Sequence, residues 1–198
     1  MKNLIIAGYL LTALSPLESS STILNNISQK ISDRPTPTIS QISAEEEWNL
    51  KLEQGWDLME RESLGEWLKL GLSETEILTQ LGTPSEKKED IFWGAIGMYV
   101  QKWEYGDRGI RLQMQSEQPG EPKQVLSIVI TEPCELKTNA GIGIGSSKEE
   151  VVQAYRHYQD PYSHPESESF VAGTAYGGLI FSFENNRVKE IFIGVAAP

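Results

Sequence analysis

The 198-residue sequence predicts an α+β fold: two tandem helix-plus-antiparallel-sheet repeats preceded by an amphipathic helix. The first observation is an internal match. Gly71-Leu72-Ser73-Glu74-Thr75-Glu76-Ile77-Leu78-Thr79-Gln80-Leu81-Gly82 aligns with Gly145-Ser146-Ser147-Lys148-Glu149-Glu150-Val151-Val152-Gln153-Ala154-Tyr155-Arg156. The second is the strand-like text downstream of each stretch, from Tyr105 to Ile130 in one copy and from Tyr176 to Gly194 in the other. The third is a shared start signal. Ser73-x-x-Glu76 and Ser147-x-x-Glu150 are capping boxes, in which the hydroxyl takes a free backbone N–H and the carboxylate reaches back.

The chain opens with Lys2 and an apolar run, Leu4 to Leu14, ahead of Ser15-Pro16. Eleven mostly apolar residues fit the core of a signal peptide and are short for a bilayer span. Residues 1–21 therefore read as a signal peptide, with cleavage near Ser19-x-Ser21, and the protein reads as extracytoplasmic, periplasmic or secreted. The alternative is membrane tethering by an uncleaved N-terminal segment. Residues 22–43 read as a flexible linker, because Asp33-Arg34-Pro35-Thr36-Pro37-Thr38 cannot continue a helix.

From residue 44 the pattern turns helical. Trp48, Leu52, Trp56 and Met59 recur on one stripe, the spacing of a core-facing helix. Leu64, Trp67, Leu68 and Leu70 read as a further helix or its continuation. The first repeat completes residues 44–133. Its short helix points Ile77, Leu78 and Leu81 inward and stops at Gly82 and Pro84. Phe92 to Tyr105 follows as one or two strands interrupted at Gly94 and Gly97. Gly106-Asp107-Arg108-Gly109 makes a turn, Ile110 to Gln115 alternates apolar with polar, and Val125 to Ile130 closes the unit. The second repeat occupies residues 134–198. Its helix uses Val151, Val152 and Tyr155. Phe170 to Tyr176 leads to a turn at Gly177-Gly178. Leu179, Phe181 and Phe183 alternate with Ile180, Ser182 and Glu184, and Asn185-Asn186 turns the chain into Val188 to Ile193. Ile128 and Ile130 correspond to Ile191 and Ile193.

This order of elements, over residues 70 to 194, resembles the helix-plus-sheet module of the SmpA/BamE-like outer-membrane assembly lipoproteins. The tandem pair is similar to the β-lactamase inhibitor protein fold. The signals are Gly71 to Pro84, Gly143 to Tyr155, and the strands ending at Ile130 and Ile193. What the resemblance implies is an extracytoplasmic protein-binding module. The chain lacks a lipobox cysteine near its N-terminus, a departure from the assembly lipoproteins.

Composition narrows the partners. A net charge of -11 repels phosphate backbones, which argues against nucleic acid. Cys134 is the single cysteine and sits among Glu132, Pro133 and Glu135, so it reads as structural rather than nucleophilic. Gly141 to Lys148 meets neither the Walker nor the dinucleotide spacing and reads as a turn feeding a capped helix. There is no Gly-x-Ser-x-Gly elbow. No cofactor is expected, and no integral span after signal cleavage. The expected function is an exported non-enzymatic binding module that takes a protein or envelope component, for assembly or inhibition, through a sheet surface. Trp93, Tyr99, Trp103, Tyr105, Arg111 and Tyr176 are its candidate contacts, since aromatics and arginine dominate interface hot spots. The alternative is a metal-dependent envelope hydrolase centred on the His157-Asp160-His164 loop, imidazole and carboxylate being suitable zinc ligands.

Overall fold

The computed structural model describes residues 43–160, 167–174 and 176–195. The signal-peptide and linker readings lie outside those residues. The fold is α+β, with three helices and one antiparallel sheet among the described residues.

Each helix begins the same way. Helix α1 (Ala44–Arg61), helix α2 (Glu74–Leu81) and helix α3 (Lys148–Tyr155) are N-capped by Ser43, Ser73 and Ser147. In all three the serine hydroxyl accepts from the third backbone N–H, and the glutamate at that position accepts from the serine N–H. The box at Ser43 and Glu46 has the same Ser-x-x-Glu spacing as the other two.

The strands are β1 (Glu86–Lys87), β2 (Ile91–Trp93), β3 (Met98–Tyr105), β4 (Ile110–Ser116), β5 (Gln124–Thr131), β6 (Ser169–Thr174), β7 (Gly177–Glu184) and β8 (Arg187–Gly194). They form one sheet in the order β1-β3-β4-β5-β8-β7-β6, with β2 also on β3. The expected sheets of the two halves are thus continuous. They join where β5 meets β8, pairing Ile128 with Ile193 and Ile130 with Ile191. The segment that leads into each short helix is tied to the start of a strand, β5 or β8, by three backbone hydrogen bonds. The first set is Gly71 N–H to Val125 O, Val125 N–H to Leu72 O, and Glu74 N–H to Lys123 O. The second is Gly145 N–H to Val188 O, Val188 N–H to Ser146 O, and Lys148 N–H to Asn186 O.

Side chains of directly paired residues share a face, and alternate residues point to opposite faces. On one face lie Trp103, Tyr105, Ile110, Leu112, Met114, Val125, Ile128, Ile130, Phe170, Leu179, Phe181, Ile191 and Ile193. All are buried, and they share a core with Leu58, Ile77, Leu81, Val151 and Tyr155 from the helices.

Several sequence expectations differ in detail. Of the expected stripe Trp48, Leu52, Trp56 and Met59, the Trp48 side chain lies outside the described residues and the other three differ in burial. Met59 is buried, Leu52 is half-buried and Trp56 is exposed, while Gly55 and Leu58 are buried. The reason is a close approach of α1 to the sheet at Gly55. A Cβ there would fall 2.8 Å from Gly177 O and 3.1 Å from Gly173 Cα. That contact places Gly55 in the packing face, with Met59 buried beside it against Gly177 and Trp56 at its margin. Residues 64–70 form no helix. Gly65 and Glu66 take positive φ, and Leu64 bridges to Leu68 in a tight turn that buries both leucines. The reversal expected at Gly177-Gly178 lies before both glycines, between Thr174 and Gly177. Thr174 pairs with Gly177, and both glycines belong to β7.

Candidate functional site

The six candidate contacts separate into two groups when the register is followed. Glu104 pairs with Arg111, and Trp93 with Met98, so Trp93 and Arg111 lie on the sheet face opposite the buried one. Tyr99, Trp103 and Tyr105 alternate onto the helix-side face. Trp103 and Tyr105 are buried, and this overturns their reading as contact residues. The Trp103 indole N–H donates to Gln101 Oε1 at 2.7 Å, and the Lys87 ammonium stands 3.7 Å from the ring centroid. The Tyr105 hydroxyl donates to Gly82 O at 3.1 Å, and burial pushes the phenol up to about 12. Both side chains are core. Trp93 and Tyr99 are half-buried in the β2–β3 hairpin, and Tyr176 is 62 % exposed in the β6–β7 turn. The six do not form one patch.

The face that carries Arg111 has a different centre. One row of cross-strand neighbours runs Glu104, Arg111, Val129, Phe192, Ile180 and Val171, across β3, β4, β5, β8, β7 and β6. Each of the six is partly exposed. No described helix shares a core with this face, whereas the opposite face packs with all three helices. Four consecutive strands therefore present an apolar side chain on the open side. A signal for this was available in the sequence. Ile180 and Phe192 sit between buried neighbours in β7 and β8, so those strands are apolar on both faces.

Charges around the row are matched among themselves. The Arg111 guanidinium reaches over β5 to Glu190 Oε2 at 2.8 Å. The Lys102 ammonium lies 2.6 Å from Glu104 and, by its hydrogen bond, holds that carboxyl below its ordinary value. Lys88 pairs with Glu86, and that hydrogen bond raises the lysine. On a chain of net charge -11 this is a locally balanced surface. It can approach a partner without net repulsion at the contact.

The connector between the halves borders two cavities. One, of about 350 Å³, lies between Trp67, Leu81, Arg108, Cys134 and Leu136. The other, of about 620 Å³, lies between Glu132, Cys134, Glu135, Glu184, Arg187 and Lys189. Cys134 is buried, and burial pushes its thiol up, the opposite of what a nucleophile or metal ligand requires. Of the histidine loop, His157 is exposed in a 3-10 turn and Asp160 is buried, with its N–H donated to Val171 O at 2.9 Å. His164 lies outside the described residues. Among the described residues no three His, Cys, Asp or Glu side chains gather in a metal-holding group. No described helix is long and apolar enough to cross a membrane.

No protein-family model, no curated protein and no solved structure matches this chain.

Proposed function

We propose that this protein is an exported, non-enzymatic binding module that takes another protein or an envelope component on the open face of its sheet. One observation carries the reading: the row Val129, Phe192, Ile180 and Val171, apolar and partly exposed, on the face opposite the helix-covered core. The matched pair Arg111 and Glu190 sits at its edge. An apolar centre with a polar, paired rim is the anatomy of a protein contact surface.

The scaffold is read as a duplicated helix-plus-sheet unit. Support comes from the two equivalent sets of three helix-to-strand hydrogen bonds. It comes also from the antiparallel pairing of Ile128 with Ile193 and Ile130 with Ile191. In the internal match Ile128 corresponds to Ile191 and Ile130 to Ile193, so this crossed pairing is what a local twofold relation between two copies produces. The resemblance to SmpA/BamE-like modules in tandem supports the same reading, and it carries the expectation of an extracytoplasmic setting.

The test is site-specific photo-crosslinking in the envelope fraction. A crosslinker at residue 192 or 180 is expected to trap a defined partner, and one at Val152, exposed on α3, is expected not to. Phe192→Glu is expected to abolish capture by a crosslinker at residue 180. Equal adducts from both faces, or none from residues 180 and 192, would sink the proposal. Export is checked separately by N-terminal sequencing of the mature protein, where an intact Met1 rules out cleavage.

A further inference from the structure

The nine residues 91–99, Ile-Phe-Trp-Gly-Ala-Ile-Gly-Met-Tyr, carry no charged side chain, and they fold as the β2–β3 hairpin at the edge of the sheet. Ile91 is 60 % exposed and Phe92 56 % exposed. Water-facing hairpins and edge strands are normally defended with charges, and the preceding segment, residues 86–90, is charged at every position. The hairpin itself has no such defence.

Its two faces are both apolar. Ile91 pairs with Val100 and Trp93 with Met98 on one side, while Phe92 pairs with Tyr99 on the other, their ring centroids 5.2 Å apart. A hairpin that lies against a single partner surface needs one apolar face and keeps the other for water. One that is apolar on both faces is suited to immersion. Its tip is suited to it as well. The N–H groups of Ile96 and Gly97 both donate to Trp93 O, at 3.2 and 2.9 Å, so these donors are satisfied without water.

The base of the hairpin is polar and held in place. Lys123 is buried with its ammonium 3.0 Å from Asp90 Oδ1, and the Gly120 N–H donates to Asp90 Oδ2 at 3.1 Å. On the second strand, the Gln101 amide donates to Lys88 O at 2.8 Å. An uncharged tip with tryptophan and tyrosine stands on a charged collar.

We propose that the β2–β3 hairpin is a membrane-contacting tip that inserts into the interfacial layer of an uncharged, zwitterionic lipid surface. Three to four residues per strand reach about 10 Å, which matches the ~5–10 Å depth at which interfacial segments lie. Tryptophan and tyrosine are the side chains that prefer the headgroup level. The collar of residues 86–90 sets two lysines against three carboxylates, on a chain of net charge -11, so anionic headgroups are disfavoured. Apolar insertion, not charge, supplies the affinity, and salt leaves it unchanged.

The experiment uses the full chain with phosphatidylcholine vesicles whose acyl chains carry bromine as a quencher. An environment-sensitive fluorophore is placed on Ala95→Cys or, as a control, on Asn185→Cys, both exposed, with Cys134 buried. Quenching is expected at residue 95 and not at residue 185. Phe92→Ser is expected to weaken vesicle partition on the order of tenfold, the loss of one apolar ring from an apolar medium. An unquenched probe at residue 95 on vesicle-bound protein overturns the proposal, because the binding then rests on another part of the chain. Absence of binding, binding that requires anionic lipid, or a hairpin that crosslinks to a protein while residue 95 stays unquenched also overturns it.

Discussion

The Tyr155 hydroxyl donates to the buried carboxylate of Glu62 at 3.0 Å, joining the last turn of α3 to the residue that ends α1. The other oxygen of Glu62 accepts from the N–H of Asn139 at 2.7 Å and of Ser63 at 3.2 Å. One carboxylate thus gathers a helix end, a second helix and the connector between the halves. Removing a donor leaves a buried charge short of a partner, which costs more than the bond contributes net. Tyr155→Phe is expected to lower unfolding free energy by about 1–3 kcal/mol in urea titrations. Glu62→Ala is expected to cost more, because three donors lose their acceptor together.

The two buried phenols set an alkaline limit. Burial raises Tyr105 from about 10 to about 12, and burial raises Tyr155 as well. In the unfolded chain both ionise near the ordinary tyrosine value, so the unfolded state sheds protons first. Stability is therefore complete below about pH 10 and falls as pH rises through about 12. Urea titrations across this range should show the fall, with a smaller slope in Tyr105→Phe.

Helix starts are testable one by one. Ser73→Ala and Ser147→Ala each remove a hydroxyl that accepts from the third backbone N–H, at 3.3 Å from Glu76 and 3.2 Å from Glu150. Each is expected to cost about 1 kcal/mol. Hydrogen bonds from the serine side chain and backbone hold Glu76 below its ordinary value, and those of Ser147 do the same for Glu150. A lowered folded value means that this contribution is present above the ordinary glutamate range and is lost as pH falls through the folded value. Glu76→Gln should weaken that acid dependence in circular-dichroism melts.

Gly55 offers a test of opposite sign to the usual helix rule. In an open helix, Gly→Ala stabilises by roughly 1 kcal/mol. Here the new Cβ would meet the Gly177 carbonyl at 2.8 Å and Gly173 Cα at 3.1 Å, and both are backbone of the sheet. Gly55→Ala is expected to destabilise by about 1–3 kcal/mol and to expose α1 to limited proteolysis. A rise in melting temperature would show that α1 can lift without cost.

The Asp90–Lys123 pair should behave as a buried ion pair, with the lysine side chain 4 % and the aspartate side chain 16 % exposed. Lys123→Met strands a carboxylate and is expected to cost about 3 kcal/mol, while Asp90→Leu combined with Lys123→Met recovers most of it. Denaturation midpoints of the two single variants and the double variant, read as a cycle, check this.

What the sequence determined by itself was local. Ser-x-x-Glu starts α2 and α3 because both partners of each box lie within four residues. Ile110 to Gln115 alternates because a strand has a period of two. The turns at residues 106–109 and at Asn185-Asn186 are legible for the same reason: Gly109, Asn185 and Asn186 take the positive φ that those residues tolerate. The tertiary structure alone decided which side each strand shows. Trp103 and Arg111 both read as aromatic-and-arginine surface, yet Trp103 pairs with Leu112 toward the helices and Arg111 with Glu104 away from them. Neighbouring residues of a strand take opposite faces, and which of the two faces the helices cover is decided by packing between elements distant in the chain. The pairing of β5 with β8, and the packing of α1 on the sheet through Gly55, have the same origin. Both depend on contacts between residues more than sixty positions apart, such as Ile128 with Ile193 and Gly55 with Gly177, which local pattern does not encode.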